Sequence, residues 1–234
     1  MLHRIAQLSL LAVLSVNALA ANDDLDDLRT SNIARDEWRL IKQDRAHDIQ
    51  AYDKRDFGKS LRAFKVDYEV ETTLDDIARV YFDFENYRKW FYQVQEAKLI
   101  KKVSATEFYY YIVHRAPPTL PDRDAIIHAV IEPYSTKRGY ALLTLKSIPK
   151  YLPEKPPLVR MIAEDMTVKW TPIGNGKIRG VVEGYIDPGG VAPSWAINFI
   201  QSRAPYQTAL GFQRVLKQMA GEESKEKPVF SLTD

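Results

Sequence analysis

The stretch YIDPGGVAPSWAIN (185–198) decides how the chain folds. A strand-like run stops at Asp187-Pro188-Gly189-Gly190, because proline removes a backbone donor and glycine permits backbone angles that other residues avoid. The chain restarts at Pro193, a residue suited to a first helical turn. Beyond it, Trp195, Phe199, Tyr206, Leu210 and Phe212 make a broad apolar stripe, with Pro205 expected to kink the helix. The predicted helix runs from Pro193 to about Met219. A stripe of that breadth packs on a sheet, and the preceding strand supplies one. Ile178, Gly180, Val182, Gly184 and Ile186 share one of its faces. Its two glycines are expected to let the helix come close.

Upstream, the pattern from Glu96 to Asp187 is almost entirely strands, with Asn175-Gly176 as a tight hairpin turn. PPTLP (117–121) and IPKYLPEKPP (148–157) are loops, because proline cannot donate to a strand ladder. Earlier still, a strand is predicted near Trp38 to Lys42. IQAYDKRD and LRAFKVDYEVETT read as two further strands separated by a turn at Gly58. Thr73 then caps a helix whose first turn carries Asp75 and Asp76, and Ile77, Val80, Tyr81 and Phe84 mark its buried face. Consecutive antiparallel strands bracketed by helices predict an α+β domain instead of a parallel βαβ sheet.

The ends of the chain have a different character. Residues 1–20 read as a cleaved secretory signal: MLHR is a cationic start, Ile5 to Val16 an apolar core, and Ala18-Leu19-Ala20 the small residues of a cleavage site. An N-terminal anchor is disfavoured, because about twelve apolar residues cannot cross roughly 30 Å of hydrocarbon as a helix. Export to the periplasm of a Gram-negative cell is therefore expected. Residues 21–37 read as an acidic, then amphipathic helical segment, 38–219 as the main domain, and 220–234 as a charged tail. The chain has no cysteine, which excludes disulfides, thiolate metal sites, a cysteine nucleophile and a lipid-modified cysteine. Histidines show no metal-ligand spacing, and no metal or cofactor is predicted. A formal net charge of +2, with both signs interspersed, argues against a nucleic-acid binder.

Several strands present small or branched residues on one face. Ala125, Ile127, Ala129 and Ile131 alternate with the other face of their strand, and Ala141, Leu143, Leu145 and Ser147 do so less cleanly. Under a helix, that composition fits either a filled core or a cavity, and the pattern alone leaves both open.

Taken in order, NYRKWF (86–91), HRAPPTLPDRDAIIHA (114–129), LVRM (158–161), KWTPIG (169–174) and YIDPGGVAPSWAIN resemble the START (steroidogenic acute regulatory protein-related lipid transfer) domain family. The resemblance spans roughly Trp38 to Met219, and DPGGxxPxWxxN is its most specific part. It implies a helix-grip fold, in which a curved antiparallel sheet wraps a long C-terminal helix over a hydrophobic cavity. Asp187, Pro188, Gly189 and Gly190 then become the hinge of a lid helix. It also implies a non-catalytic protein that binds and transfers a lipid, phospholipid or sterol-like, with transient membrane contact. We expect it to act as a monomer.

The phosphatidylcholine-transfer branch of that family places a phosphate-binding arginine at the position of Arg88. Met166 stands where the same branch has a glutamine, a departure that argues against choline-lipid specificity. Matching strands turns Tyr110, Ile112 and His114 inward, with Ile127, Ala129, Leu143, Glu164 and Met166 as further cavity residues and Asn198, Phe199 and Ser202 facing them from the helix. Arg123 and Asp124 read as a structural ion pair or loop anchor. Two alternatives stand beside lipid transfer. One is a helix-grip enzyme of the polyketide cyclase or aromatase type, using His114 and Glu164 for acid–base chemistry. The other is an interaction module with a vestigial pocket.

Overall fold

Alternating apolar and polar residues give strands one buried and one solvated face, and that pattern covers most of the chain. The computed structural model describes residues 37–55, 61–219 and 228–233, without the side chains at 194, 195, 198, 199 and 202. The predicted signal, the helical segment 21–37 except its last residue, the Gly58 turn and most of the charged tail lie outside the described residues. Strands β1 (Arg39–Asp44), β2 (Ile49–Lys54) and β3 (Ala63–Glu71) lead to α1 (Leu74–Tyr81) and a 3-10 helix (Phe84–Lys89). Next come β4 (Val94–Lys102), β5 (Glu107–His114), β6 (Arg123–Glu132), β7 (Ala141–Ser147), β8 (Val159–Arg160), β9 (Ala163–Gly174) and β10 (Lys177–Asp187), and finally α2 (Ser194–Met219).

The strands form one 10-stranded sheet in the order β1-β2-β3-β10-β9-β7-β6-β5-β4, with β8 paired to β6. Every pairing along that path is antiparallel, and β8 alone runs parallel to its partner. The predicted α+β helix-grip architecture is thus present: a curved antiparallel sheet wrapped around the long C-terminal helix. Local signals were accurate. Asn175 and Gly176 both take positive φ, as a two-residue hairpin turn between β9 and β10 requires. Thr73 Oγ1 accepts a hydrogen bond from the Asp76 N–H at 3.1 Å and caps α1.

Sheet alternation sorts the side chains into two layers. Phe64, Val66 and Tyr68 of β3, Tyr110 and Ile112 of β5, and Ala125, Ile127 and Ala129 of β6 share the main core under α2. Tyr111, Val113 and Ile126 face the other way, against Ile148, Leu152 and Leu158 of the proline-rich loop. Arg160 pins that loop. It grips Asp124 with two hydrogen bonds of 2.9 and 3.0 Å and also donates to the carbonyls of Pro149, Leu152 and Pro153.

From Tyr206 onward, α2 is tied down by side-chain hydrogen bonds. Gln213 Nε2 donates to the His47 and Glu69 carbonyls at 2.8 and 2.9 Å, and Tyr206 donates to Asp44 at 2.6 Å. Tyr206, and then His47, hold the Asp44 carboxyl down at about 2. Gly211 sets how close the helix lies: a Cβ there would stand 2.2 Å from the Trp90 carbonyl oxygen.

Two expectations change. Gly180 and Gly184 do not make room for the helix. A Cβ on Gly180 would collide with the Tyr68 ring, and one on Gly184 with Met166 and Phe64, so the glycines admit neighbouring strand side chains. Nor is residue 220 onward simply a charged tail. Phe230 and Leu232 return to the core, 1% and 0% exposed, and Thr233 bridges to Tyr134.

Candidate functional site

The core under α2 is filled at one end and open at the other. At the filled end, rings from the 3-10 helix and the C-terminal segment pack onto β5: Phe84 lies 5.2 Å from Tyr110, and Phe230 lies 4.2 Å from Phe108, centroid to centroid. At the other end lies a cavity of about 630 Å³, a size within the range of small-molecule sites.

Antiparallel order brings its walls together. The starts of β3, β6 and β9 meet the ends of β5 and β10, contributing Val66, Arg123, Glu164, His114 and Ile186 among others. Tyr81 of α1, Trp90 to Gln93 after the 3-10 helix, and the 115–120 loop close the sides. The roof is α2, through Ala196, Ile200, Ala204, Thr208 and Phe212, a row spaced by four residues that runs obliquely along the helix. Ala196, Ala204 and Thr208, the small members of that row, leave space that larger side chains would fill.

Most of the wall is apolar. Burial pushes the Tyr68 and Tyr81 phenols far up, so both stay neutral, and Tyr68 accepts from Trp170 Nε1 at 3.1 Å. The polar lining residues include Gln93, Arg115, Arg123 and Thr208, and a pair at the sheet end: His114 Nε2 lies 3.1 Å from Glu164 Oε2, with the Glu164 side chain 3% exposed. The Phe91 ring flanks the imidazole edge-on at 5.8 Å. Such a pair can hold a polar ligand group or move a proton. Among the described residues, no group of three potential ligands could hold a metal ion.

Of the residues singled out from the sequence, His114, Glu164, Met166 and Pro188 line the cavity. Tyr110, Ile112, Ile127, Ala129 and Leu143 do face inward, but they lie in the packed core and not on the cavity wall. Rings brought in by the 3-10 helix and by Phe230 occupy the space above β5. Arg88 is exposed, beside Lys89, Gln207 and Arg214 in a neighbouring groove that shares Trp90 to Gln93 with the cavity, and it does not line the cavity itself. The 3-10 helix turns Phe84 and Tyr87 inward, and the residue after Tyr87 points out. Asn198, Phe199 and Ser202 lie on α2, their side chains outside the description. Gly189 and Gly190 both take positive φ, and the Gly189 N–H is held by Asp187 Oδ1 at 3.0 Å.

Arg123 and Asp124 do not pair. Successive residues on a strand point to opposite faces, so Asp124 meets Arg160 on the outer face while Arg123 lines the cavity. That alternation, and the small-residue row of α2, were signals available in the sequence.

No protein-family model and no curated protein matches the chain. Solved structures do. The STAR-related lipid transfer protein of Xanthomonas axonopodis is 26% identical, with a TM-score of 0.71, covering 78% of this chain and 100% of that one. Human STARD10 matches with a TM-score of 0.67 at 19% identity, over 89% of this chain and 86% of its own. Human StAR-related lipid transfer protein 5 also reaches 0.67, at 15% identity, over 86% and 95%. These likenesses give the chain the START/helix-grip superfamily fold.

Proposed function

We propose that this protein binds a lipid in the cavity beneath α2 and carries it between membranes of the periplasm, as a monomer and without chemical change. The observation that carries the reading is the apolar cavity of about 630 Å³ closed by a helix. The likeness to a bacterial STAR-related lipid transfer protein supports it. Burying apolar ligand surface contributes about 25 cal/mol per Å² before ordering costs. Exposed Ile162 and Val191, 59% and 93%, flank the DPGG break and offer apolar contacts to a membrane at the mouth of the site. Export rests on the signal-like residues 1–20. Among the described residues, no helix is long and apolar enough to cross a membrane.

Native mass spectrometry of a periplasmic preparation tests the reading. The expected result is a monomer beginning at Ala21 with one lipid, recovered chemically unchanged on extraction. A clean apo mass that persists after incubation with phospholipid, sterol and fatty-acid vesicles would sink it. A second reading, acid–base catalysis, is favoured by the His114–Glu164 pair, and it predicts that a bound ligand turns over.

Entry requires the roof to move, and the break at Asp187 to Gly190 is the proposed hinge. A Cβ on Gly190 would lie 3.0 Å from Val159 Cγ1, so the double variant Val159→Cys/Gly190→Cys can bridge the break to β8. The chain has no other cysteine. Lipid exchange between vesicles is expected to slow at least about tenfold when the pair is oxidised and to recover on reduction. Equal rates in the two states would rule out this hinge.

A further inference from the structure

The cavity contains a cation that binding of a merely apolar molecule leaves unused. Arg123 opens β6 on the inner face, directly opposite His114 of β5 in the strand register. Residues so placed have Cβ atoms about 5 Å apart, so guanidinium and imidazole share one stretch of wall. Arg123 is 5% exposed. It donates one Nη–H to the Pro121 carbonyl, while its buried Nε–H has no partner.

Neighbouring carboxyl groups are engaged elsewhere. Glu164 is hydrogen-bonded to His114, and Asp122 accepts from Gln95 Nε2 at 2.6 Å and from the Ala116 N–H at 2.8 Å. Arg123 makes no ion pair among the described residues. Burial lowers its pKa, with Asp122 pushing back, yet a guanidinium stays protonated. A buried cation with an unused donor is costly until something meets it. Trp90, on the same cavity lining, also leaves a buried indole N–H unpartnered.

We propose that the ligand is a single-chain anionic amphiphile, with its carboxylate or phosphate held by Arg123 and its apolar chain lying along the small-residue row of α2. Carboxylate and phosphate are the groups a guanidinium binds with paired, charge-assisted hydrogen bonds. Size favours one chain. At about 30 Å³ per non-hydrogen atom, the share one water takes in the liquid, the cavity holds about 20 such atoms. A long-chain fatty acid or alkyl phosphate has about that number, and a two-chain phospholipid about fifty.

This inference rests on the lipid-binding reading and narrows it. The experiment offers delipidated protein equimolar palmitate, hexadecyl phosphate and hexadecanol from phosphatidylcholine vesicles, and reads occupancy by native mass spectrometry. The unaltered protein is expected to take one or both anions at least about tenfold over the alcohol, a difference of about 1.4 kcal/mol. Arg123→Met is expected to cut that preference to about threefold or less, the loss falling on the two anions. If alcohol and anions load the unaltered protein equally, the anionic assignment falls and lipid binding stands. If none of the three loads, the single-chain assignment falls, and lipid binding falls with it when phosphatidylcholine from the vesicles and added sterol are not retained either.

A separate arm adds inorganic phosphate alone. Stoichiometric phosphate binding without retention of palmitate would overturn the lipid source in favour of a free anion. Should Arg123→Met fail to fold, the head-group preference of the unaltered protein still decides.

Discussion

Asp124→Ala is expected to lower the free energy of unfolding by about 3–5 kcal/mol, the cost of stranding a buried charge by deleting its partner. The Asp124 side chain is 0% exposed and that of Arg160 is 5%. The two hydrogen bonds between them leave the remaining guanidinium donors to three carbonyls of the loop that covers Tyr111, Val113 and Ile126. Removing the carboxylate leaves the cation without its counter-charge and loosens the loop that shields this outer core. Urea unfolding measures the effect. A loss below about 1 kcal/mol, the usual worth of an exposed pair, would show that the loop is held by its apolar contacts alone. A second variant separates charge from packing. Asp124→Leu combined with Arg160→Met removes both charges and is expected to recover part of the loss, since apolar replacement of a buried pair is often neutral.

Local chemistry made much of this fold legible. The Asn175-Gly176 turn, the Thr73 cap, the proline loops and the break before α2 each follow from what two or three adjacent residues can do. The sheet order is less local, because β3 pairs with β10, more than a hundred positions later in the chain. No local rule supplied it, and the family resemblance implied the architecture without the strand order. The same division holds within the site. His114, Glu164 and Met166 were turned inward by matching strands to the family, and they lie where the sheet opens. Which half of the inner face stays open depends on Phe84, Tyr87 and Phe230, and no spacing rule says where a 3-10 helix or a C-terminal segment will drop its rings. Arg123 was missed for a different reason. Its neighbour Asp124 looked like a ready partner, although adjacent strand residues cannot share a face. The real partner, Arg160, lies 36 positions away and on the other side of the sheet from Arg123.

Placing the cavity at one end makes a prediction that a uniformly hollow sheet would not. Ala209→Trp is expected to reduce lipid occupancy by at least about tenfold while changing stability by less than about 1 kcal/mol. Ala209 lies on α2 at the cavity wall, 5% exposed. The added ring system brings about nine non-hydrogen atoms into a space for about 20. It therefore competes with the ligand for volume and strains little of the protein. Ala129→Trp is the counterpart. Ala129 is 0% exposed in the packed core, and adding the same ring there has no void to enter, so overpacking is expected to cost about 1–3 kcal/mol or more. Thermal melts and lipid loading of both variants give the comparison. If Ala129→Trp is tolerated and empties the site while Ala209→Trp unfolds the protein, the open and filled ends have been assigned the wrong way round. If both variants keep normal stability and full loading, the lipid lies outside this core. The expected pairing, a stable but empty Ala209 variant and a destabilised Ala129 variant, requires the open end to be a binding volume and the aromatic end to be structural.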